Sequence, residues 1–449
     1  MNASKPTVLS IALVLGTLFW GGAPPLSFTE FAGAFRAGYN ELNSTIYTLD
    51  LHDRLRAGAD QEGLFRQAQF FNEQGAGLAR FDRAELSASD QLLFDLMDFE
   101  IDLNQYRIGL EQRWTASGRP IPERSLFELP EHAAWYSYFV LFFTGTDITP
   151  EEVFALGVSE TDRCSKEIAA IRTELGVKDS ATFHQHLTDQ RFYITDKQKV
   201  MNGFAQIDST VRVHLPGFVG AMAVPEVHAE EWPDAGPNTP PGIYRGAVDS
   251  ALTNYVFQFN FFGGRYNTRA MSWLYMHEAI PGHHLQVVQP INTTSGDLRE
   301  DLFYSGTAEG WACYVEYYGA DLGLYTDPYQ RLGKWEWDLV RSVRLVLDAG
   351  IHYYGWSHAE ALTYWKAHVP GQDDIAEREV MRVTNWAAQA LSYKVGASRI
   401  QAMRDRYEAE CAKKGSAPDV VRFHRALLGM GRVPIAVVER NMVAALEDR

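Results

Sequence analysis

Apolar residues recur at three- and four-residue spacing along much of the N-terminal half, the period that places them on one face of an α-helix. The run Leu93-Phe94-Asp95-Leu96-Met97-Asp98-Phe99-Glu100-Ile101 shows it, as does the segment from Val153 to Ile171. From Phe28 to about Val211 the chain therefore reads as mostly helical. Thr149-Pro150-Glu151-Glu152 marks one helix start: Thr149 suits the N-cap, Pro150 the first helical position, and Glu152 completes a capping box. Arg107 to Pro130, with Pro120, Pro122 and Pro130, reads as loop or turn. The aromatic residues Trp135, Tyr136, Tyr138, Phe139, Phe142 and Phe143 read as core.

The pattern changes after Val224. Pro225, Pro233, Pro237, Pro240 and Pro241 predict a long irregular connection from Val224 to Gly242. Gly242 to Tyr266 carries β-rich runs such as Tyr255-Val256-Phe257-Gln258-Phe259, enough for one or two strands. These fit either an edge strand along a cleft or an ordinary hairpin. Helical spacing returns at Asn267-Thr268, a capping pair, and runs through Met271, Leu274 and Tyr275 to His277. Ala308 to Tyr318 also reads as helix. The expected fold class is mainly α, with a small β element beside the helix that bears His277. Residues 24–449 read as one helical domain, with an N-terminal part to about 215 and a second part from about 216.

A hydrophobic content of 46% over 449 residues is ample for a sizeable core. The net charge of −16 argues against nucleic acid or an anionic membrane surface as partner. Cys164, Cys313 and Cys411 are too few and too scattered for a disulfide framework. Cys313 is expected in a buried helix as a small apolar residue. The first 23 residues stand apart: Lys5 is followed by an uncharged, mostly apolar run, Val8 to Trp20, then Gly21-Gly22-Ala23. That is the shape of a secretory signal, or of an uncleaved anchor on a span short for crossing. Export to the periplasm or beyond is the expectation, with no stable membrane span besides that segment.

The stretch Met276 to Gln286, MHEAIPGHHLQ, concentrates His277, Glu278, His283 and His284 in a chain with 13 His. Imidazoles are common zinc ligands, and a neighbouring carboxylate is a common base for zinc-bound water. The familiar spacing puts two His at i and i+4 on one helical face. Here that fourth residue is Pro281. On a straight helix His283 would be turned by about 240° and displaced by about 9 Å from His277. Pro281-Gly282 is expected to break or widen the helix, with irregular backbone between Ala279 and Gly282. A local bulge absorbing two residues would bring His283 into the i+4 place.

HEAIPGHHLQ resembles the signature of the bacterial domain-of-unknown-function 885 family, grouped with the gluzincin metallopeptidases. With two residues inserted between HE and GH it also resembles the thimet oligopeptidase and carboxypeptidase Taq families. The resemblance extends to GTAEGWACYVE (Gly306 to Glu316), RLVLDAGIHYYGWS (Arg344 to Ser357) and QALSYKVG (Gln389 to Gly396). It implies a large helical zincin-like fold, Zn²⁺ as cofactor, His277 and His283 on the metal, and Glu278 on the water. His284 follows as a second-layer or substrate-side group. Glu309 is the implied third ligand, at a separation from His283 comparable to that in the resembled peptidases. Glu316, seven residues on, either orients a ligand His or is a surface glutamate. Candidate donors to an oxyanion are Tyr393, His352 and Arg382. Arg382 would pair with a substrate carboxylate or with nothing but Glu379. Arg344 and Asp348 are spaced for an intrahelical ion pair. Where the family often has Pro-Gly before the glutamine, this chain has Ala387-Ala388.

The function expected is that of a zinc metallopeptidase acting on short peptides. A zinc amidase on another small amide and a non-catalytic peptide-binding relative are the alternatives. The intact His277-Glu278 pair argues against the last, since a binding module has no need of Glu278.

Overall fold

The computed structural model describes residues 26–42, 61–120, 122–247, 254–289 and 297–447. Residues 1–23, with their signal-like pattern, lie outside the described residues. The described chain is mainly α, with two small sheets. None of its helices is long and apolar enough to cross a membrane.

The helix Pro328–His352 is the axis. Every residue from Asp338 to His352 is buried. A helix buried all round needs neighbours on every side. Pro150–Glu174 packs along it, and Met271–Glu278, His358–His368, Ala376–Asn385 and Leu391–Lys413 occupy its other sides. Thr149 caps Pro150–Glu174 through the capping box expected of it. The ends of the chain interleave: Ile435–Glu447 lies on Ala88–Ser117, which also packs against Gln61–Leu78. The parts before and after residue 215 thus share one core. The six aromatics of the His132–Thr144 helix are all buried in it.

Three local expectations are corrected. Ala88–Ser117 is one helix through the stretch read as loop from Arg107, and it ends at Gly118 with φ +63°. Arg107 and Glu111 form a buried i, i+4 ion pair at 2.6 Å, while Ile108, Leu110 and Trp114 join the core. The prolines at 120, 122 and 130 only follow the helix. Second, a strand, Val227–Glu231, interrupts the irregular connection, because Pro225 and Pro233 flank it without entering it. Third, Arg344 pairs with Glu379 at 2.7 Å and not with Asp348. Asp348 instead accepts hydrogen bonds from Tyr136 Oη at 2.9 Å and from the Ala388 N–H at 3.0 Å.

Val227–Glu231, Tyr255–Phe259 and Gly242–Ala247 form a three-stranded sheet with Tyr255–Phe259 in the centre. The first pair is parallel and the second antiparallel, with a register shift between Tyr244 and Gly246. Gly242–Ala247 is therefore an edge strand, and it packs against the helix Met271–Glu278. On the opposite side, the helices Ser305–Val315 and Leu391–Lys413 cross in direct backbone contact. A Cβ on Gly310 would stand 2.7 Å from the Gly396 backbone, so only glycine allows this approach.

Candidate metal centre

Asn267 caps a short 3₁₀ turn, Thr268–Ala270, and the helix Met271–Glu278 follows with all its residues buried. It stops at Ala279 (φ −101°, ψ −114°), passes a cis Ile280–Pro281 peptide, and restarts at His283 after Gly282 (φ −76°, ψ −130°). The backbone is irregular between Ala279 and Gly282, as the prolyl-glycyl pair requires. It takes the form of two helices, the second being His283–Val288, and not of a bulge within one. A Cβ on Gly282 would stand 2.0 Å from the His277 carbonyl oxygen, so this position excludes any side chain. Trp311 Nε1–H donates to the Pro281 carbonyl at 2.7 Å and ties the break to the helix Ser305–Val315.

The break turns the two imidazoles toward each other. Their ring centroids are 4.8 Å apart and nearly perpendicular, at 82°. Glu309, from the Ser305–Val315 helix, places Oε2 at 3.3 Å from His277 Nε2 and 3.3 Å from His283 Nε2. The ligand atoms of these three residues lie within 4.8 Å of one another.

The outer contacts of each ring fix its proton. His277 Nδ1 lies 2.8 Å from Glu316 Oε1, an acceptor, and 3.3 Å from Arg341 Nη2; the shorter contact, to a carboxylate, places the hydrogen on Nδ1. His283 Nδ1 lies 3.1 Å from Gln286 Oε1, and the Gln286 amide nitrogen faces the Thr307 carbonyl, which sets that amide's orientation. In the neutral rings both Nε2 atoms are then left as bare lone pairs. Glu309 Oε2 is buried and accepts no hydrogen bond. Three lone-pair atoms thus face one another, an arrangement that repels unless a cation lies among them. Ligand atoms about 2.0–2.1 Å from a tetrahedral ion stand about 3.3 Å apart. That is the spacing found at both Nε2···Oε2 contacts, so the residues present fit zinc.

The electrostatics point the same way. Burial alone would raise the Glu309 pKa, but the facing His283 and His277 imidazoles hold it well below the usual carboxylate range. Burial opposes charge on His277, yet Cys313, Glu309 and Glu316 together drive its pKa well above the usual imidazole value. The position calls for positive charge whether a proton or a metal supplies it.

Behind the ligands stands an ordered second layer. Glu316 is fully buried, and its Oε2 accepts from Arg341 Nη1 at 2.7 Å. The line His277–Glu316–Arg341 fixes the ring through its outer nitrogen. Cys313 is buried as expected and also lies against His277; with His277 and Glu316 it forms another cluster of ligand-type atoms within 4.8 Å. Glu278 Oε2 accepts from the Tyr244 N–H of the edge strand at 2.8 Å, which leaves Oε1 uncommitted among the described residues. The Tyr393 ring lies parallel to the His277 ring at 6.3 Å and 13°. Arg382 Nη2 stands 3.3 Å from the Tyr393 hydroxyl oxygen and 3.0 Å from Gln389 Oε1.

Of the other predicted residues, His284 takes the second-layer place and His352 lies elsewhere. His284 is fully buried and turns into the sheet, its Nε2–H donating to the Pro225 carbonyl and its Nδ1 accepting from the Tyr244 hydroxyl, each at 3.0 Å. Burial keeps it neutral, its pKa pushed down to about 4. It supports the strand that holds Glu278 and presents no atom to substrate. His352 is a correction: it does not line the site. It is fully buried, its Nδ1 accepts from the Leu126 N–H at 3.2 Å, and its Nε2–H donates to the Val383 carbonyl at 2.8 Å. Both nitrogens are spent on backbone. Sequence reasoning missed Arg341, Gln286 and Tyr244. Arg341 shares the stretch Leu339 to Leu347 with Ser342 and Arg344, and nothing local singles it out.

Ala388 occupies the left-handed region, with φ +63°, and its N–H is held by Asp348. This backbone favours glycine, although the residue here is alanine.

A family model described as "Bacterial protein of unknown function (DUF885)" matches residues 111–442. No curated protein matches the sequence. Among solved structures, a Shewanella oneidensis protein described as a lipoprotein of unknown function aligns with a TM-score of 0.71 at 17% identity, covering 93% of this chain and 100% of the other. A Colwellia psychrerythraea protein, also described as a lipoprotein, aligns with a TM-score of 0.65 at 21% identity, covering 94% of this chain and 71% of the other. At these identities the likeness shows the fold.

Proposed function

This chain belongs to the bacterial DUF885 family, and for this member we propose a zinc-dependent hydrolase, a metallopeptidase acting on short peptides. One observation carries the proposal. Two bare imidazole nitrogens and one orphaned carboxylate oxygen converge at the edge length of a zinc tetrahedron. Three protein ligands with an open fourth position are typical of catalytic zinc, whereas structural zinc sites are closed.

A zinc ion held by His277, His283 and Glu309 would polarise a substrate carbonyl and lower the pKa of water at the open position. Glu278, held through Oε2 by the edge strand, has Oε1 available to take a proton from that water and pass it to the leaving amine. Arg382 donates to the Tyr393 oxygen, so the phenolic proton remains for a developing oxyanion. Glu316 and Arg341 keep His277 in the tautomer with Nε2 free. Export belongs to the same proposal. It is supported by the signal-like pattern of residues 1–23 and by two fold-sharing proteins described as lipoproteins.

The test is a mixed peptide library incubated with zinc-loaded protein, with and without chelator, and read by mass spectrometry. Cleavage should require the metal. Glu278→Gln should retain zinc and lose about 10²- to 10⁴-fold in rate. Undiminished cleavage by that variant would remove Glu278 from its role, and absence of cleavage by zinc-loaded parent protein would end the proposal.

A further inference from the structure

Three guanidiniums, on Arg344, Arg378 and Arg382, gather around one carboxylate, Glu379. Arg344 takes Glu379 Oε2 at 2.7 Å and Arg378 takes Oε1 at 2.8 Å. Arg382 is left without an ion-pair partner among the described residues. Its Nη2 meets only neutral oxygens, those of Gln389 and Tyr393. Its Nε–H is buried and donates to nothing. The guanidinium carbon lies 5.6 Å from the Tyr393 ring centroid and 5.8 Å from that of Trp386, so aromatic rings hold the group in place. Arg382 is thus a half-buried cation that Glu379 and Glu309 favour only at longer range, with a donor left for a ligand's acceptor.

Its position says which ligand. Tyr393 also lies parallel to His277, with centroids 6.3 Å apart. The separations of 5.6 and 6.3 Å put the guanidinium within about 12 Å of the His277 ring. A residue of extended chain spans about 3.3–3.6 Å, and a guanidinium holds a carboxylate as a planar two-pronged partner. One or two residues fit between a carbonyl at the metal centre and an anion on Arg382.

We propose that Arg382 binds the C-terminal carboxylate of the peptide substrate, so that the protein is a carboxy-terminal exopeptidase releasing one amino acid or a dipeptide. This rests on the hydrolase reading above. The peptide C–N bond breaks, water gives its hydroxyl to the acyl carbon and its hydrogen to the amine, and no redox partner is needed.

The test uses zinc-loaded protein and N-acetylated pentapeptides, each with a free C-terminus or as its carboxamide. The free acid should be favoured by about 100-fold in kcat/KM, as expected for a lost charged hydrogen-bonded partner. Arg382→Gln should collapse that ratio to within about threefold, and Arg382→Lys should restore part of it. Equal cleavage of both forms by the parent protein, or internal cleavage yielding C-terminal fragments of three or more residues, would overturn the inference and leave the hydrolase standing. Calorimetric binding of both peptides to zinc-loaded Glu278→Gln separates the two claims. Tighter binding of the free acid that depends on Arg382 supports the anchor even where turnover is absent. Equal affinity for acid and carboxamide, or binding of neither, overturns it.

Discussion

Two clusters of buried charge flank the axial helix Pro328–His352, and they differ in whether they are complete. In one, Asp338 receives Lys394 at 2.8 Å, Tyr317 Oη at 2.7 Å and Lys334 at 3.2 Å, while Lys394 also reaches Glu160 at 2.6 Å. Burial would raise the Asp338 pKa, but Lys334 and Lys394 hold it well below the usual range. Every charge there has its partner within the chain. In the other, His277, His283 and Glu309 turn acceptors toward one another and Glu309 Oε2 has no donor. Burial of charge therefore does not distinguish a site from a strut in this molecule. Incompleteness does, and Arg382 is a second instance of it.

The contrast is broken most severely by removing a central acid from each cluster. Asp338→Ala leaves Lys334 and Lys394 buried without their carboxylate and should cost about 3–5 kcal/mol in urea unfolding. Glu309→Gln should instead abolish tight zinc binding while costing the metal-free protein less than Asp338→Ala does, because Glu309 faces two imidazoles at 3.3 Å where Asp338 holds two buried lysines. Equal losses would erase the distinction. A further variant tests the support behind the ligands: Glu316→Gln should weaken zinc binding about 10- to 100-fold in a competition titration, and should also lower metal-free stability because Arg341 then stays buried without its carboxylate.

Asp348 sharpens the comparison through pH. Burial pushes its pKa up to about 8, against the lowering effect of the Tyr136 and Ala388 hydrogen bonds. In the unfolded chain an aspartate titrates near 3.9. The fold thus favours the protonated acid, a contribution complete below about pH 4 and lost as pH rises toward 8. Asp348→Asn should therefore be more stable than the parent at pH 8, by about 1–2 kcal/mol, with the gap closing toward pH 4. An unchanged difference across that range would assign the ionised form to the fold. The smallest expected change is at Ala388, where the left-handed backbone favours glycine: Ala388→Gly should raise stability by about 1 kcal/mol.

What could be read from the chain follows how local each feature is. The helix start at Thr149, the core aromatics of 135–143 and the break at Pro281-Gly282 depend on neighbours in sequence, and those residues declare them. The convergence of Glu309 on His277 is legible through motif resemblance and not through spacing, since a second helix, His283–Val288, and a 3₁₀ turn, Leu298–Glu300, intervene. Arg341 and Tyr244 reach the site from a distant helix and from an edge strand, and no local pattern marks such contacts. His352 illustrates the opposite error. A histidine in a motif-bearing helix suggested chemistry, but its two nitrogens close backbone gaps at Leu126 and Val383. Arg344 found Glu379 across a helix interface in place of the acid one turn away.

X-ray absorption at the zinc edge of the loaded protein tests the centre most directly, because His277 belongs to two clusters, one with His283 and Glu309 and one with Cys313 and Glu316. The account predicts one tightly held zinc with nitrogen and oxygen neighbours at about 2.0–2.2 Å and no sulfur. A sulfur shell at about 2.3 Å, or a protein that retains no zinc, would contradict it.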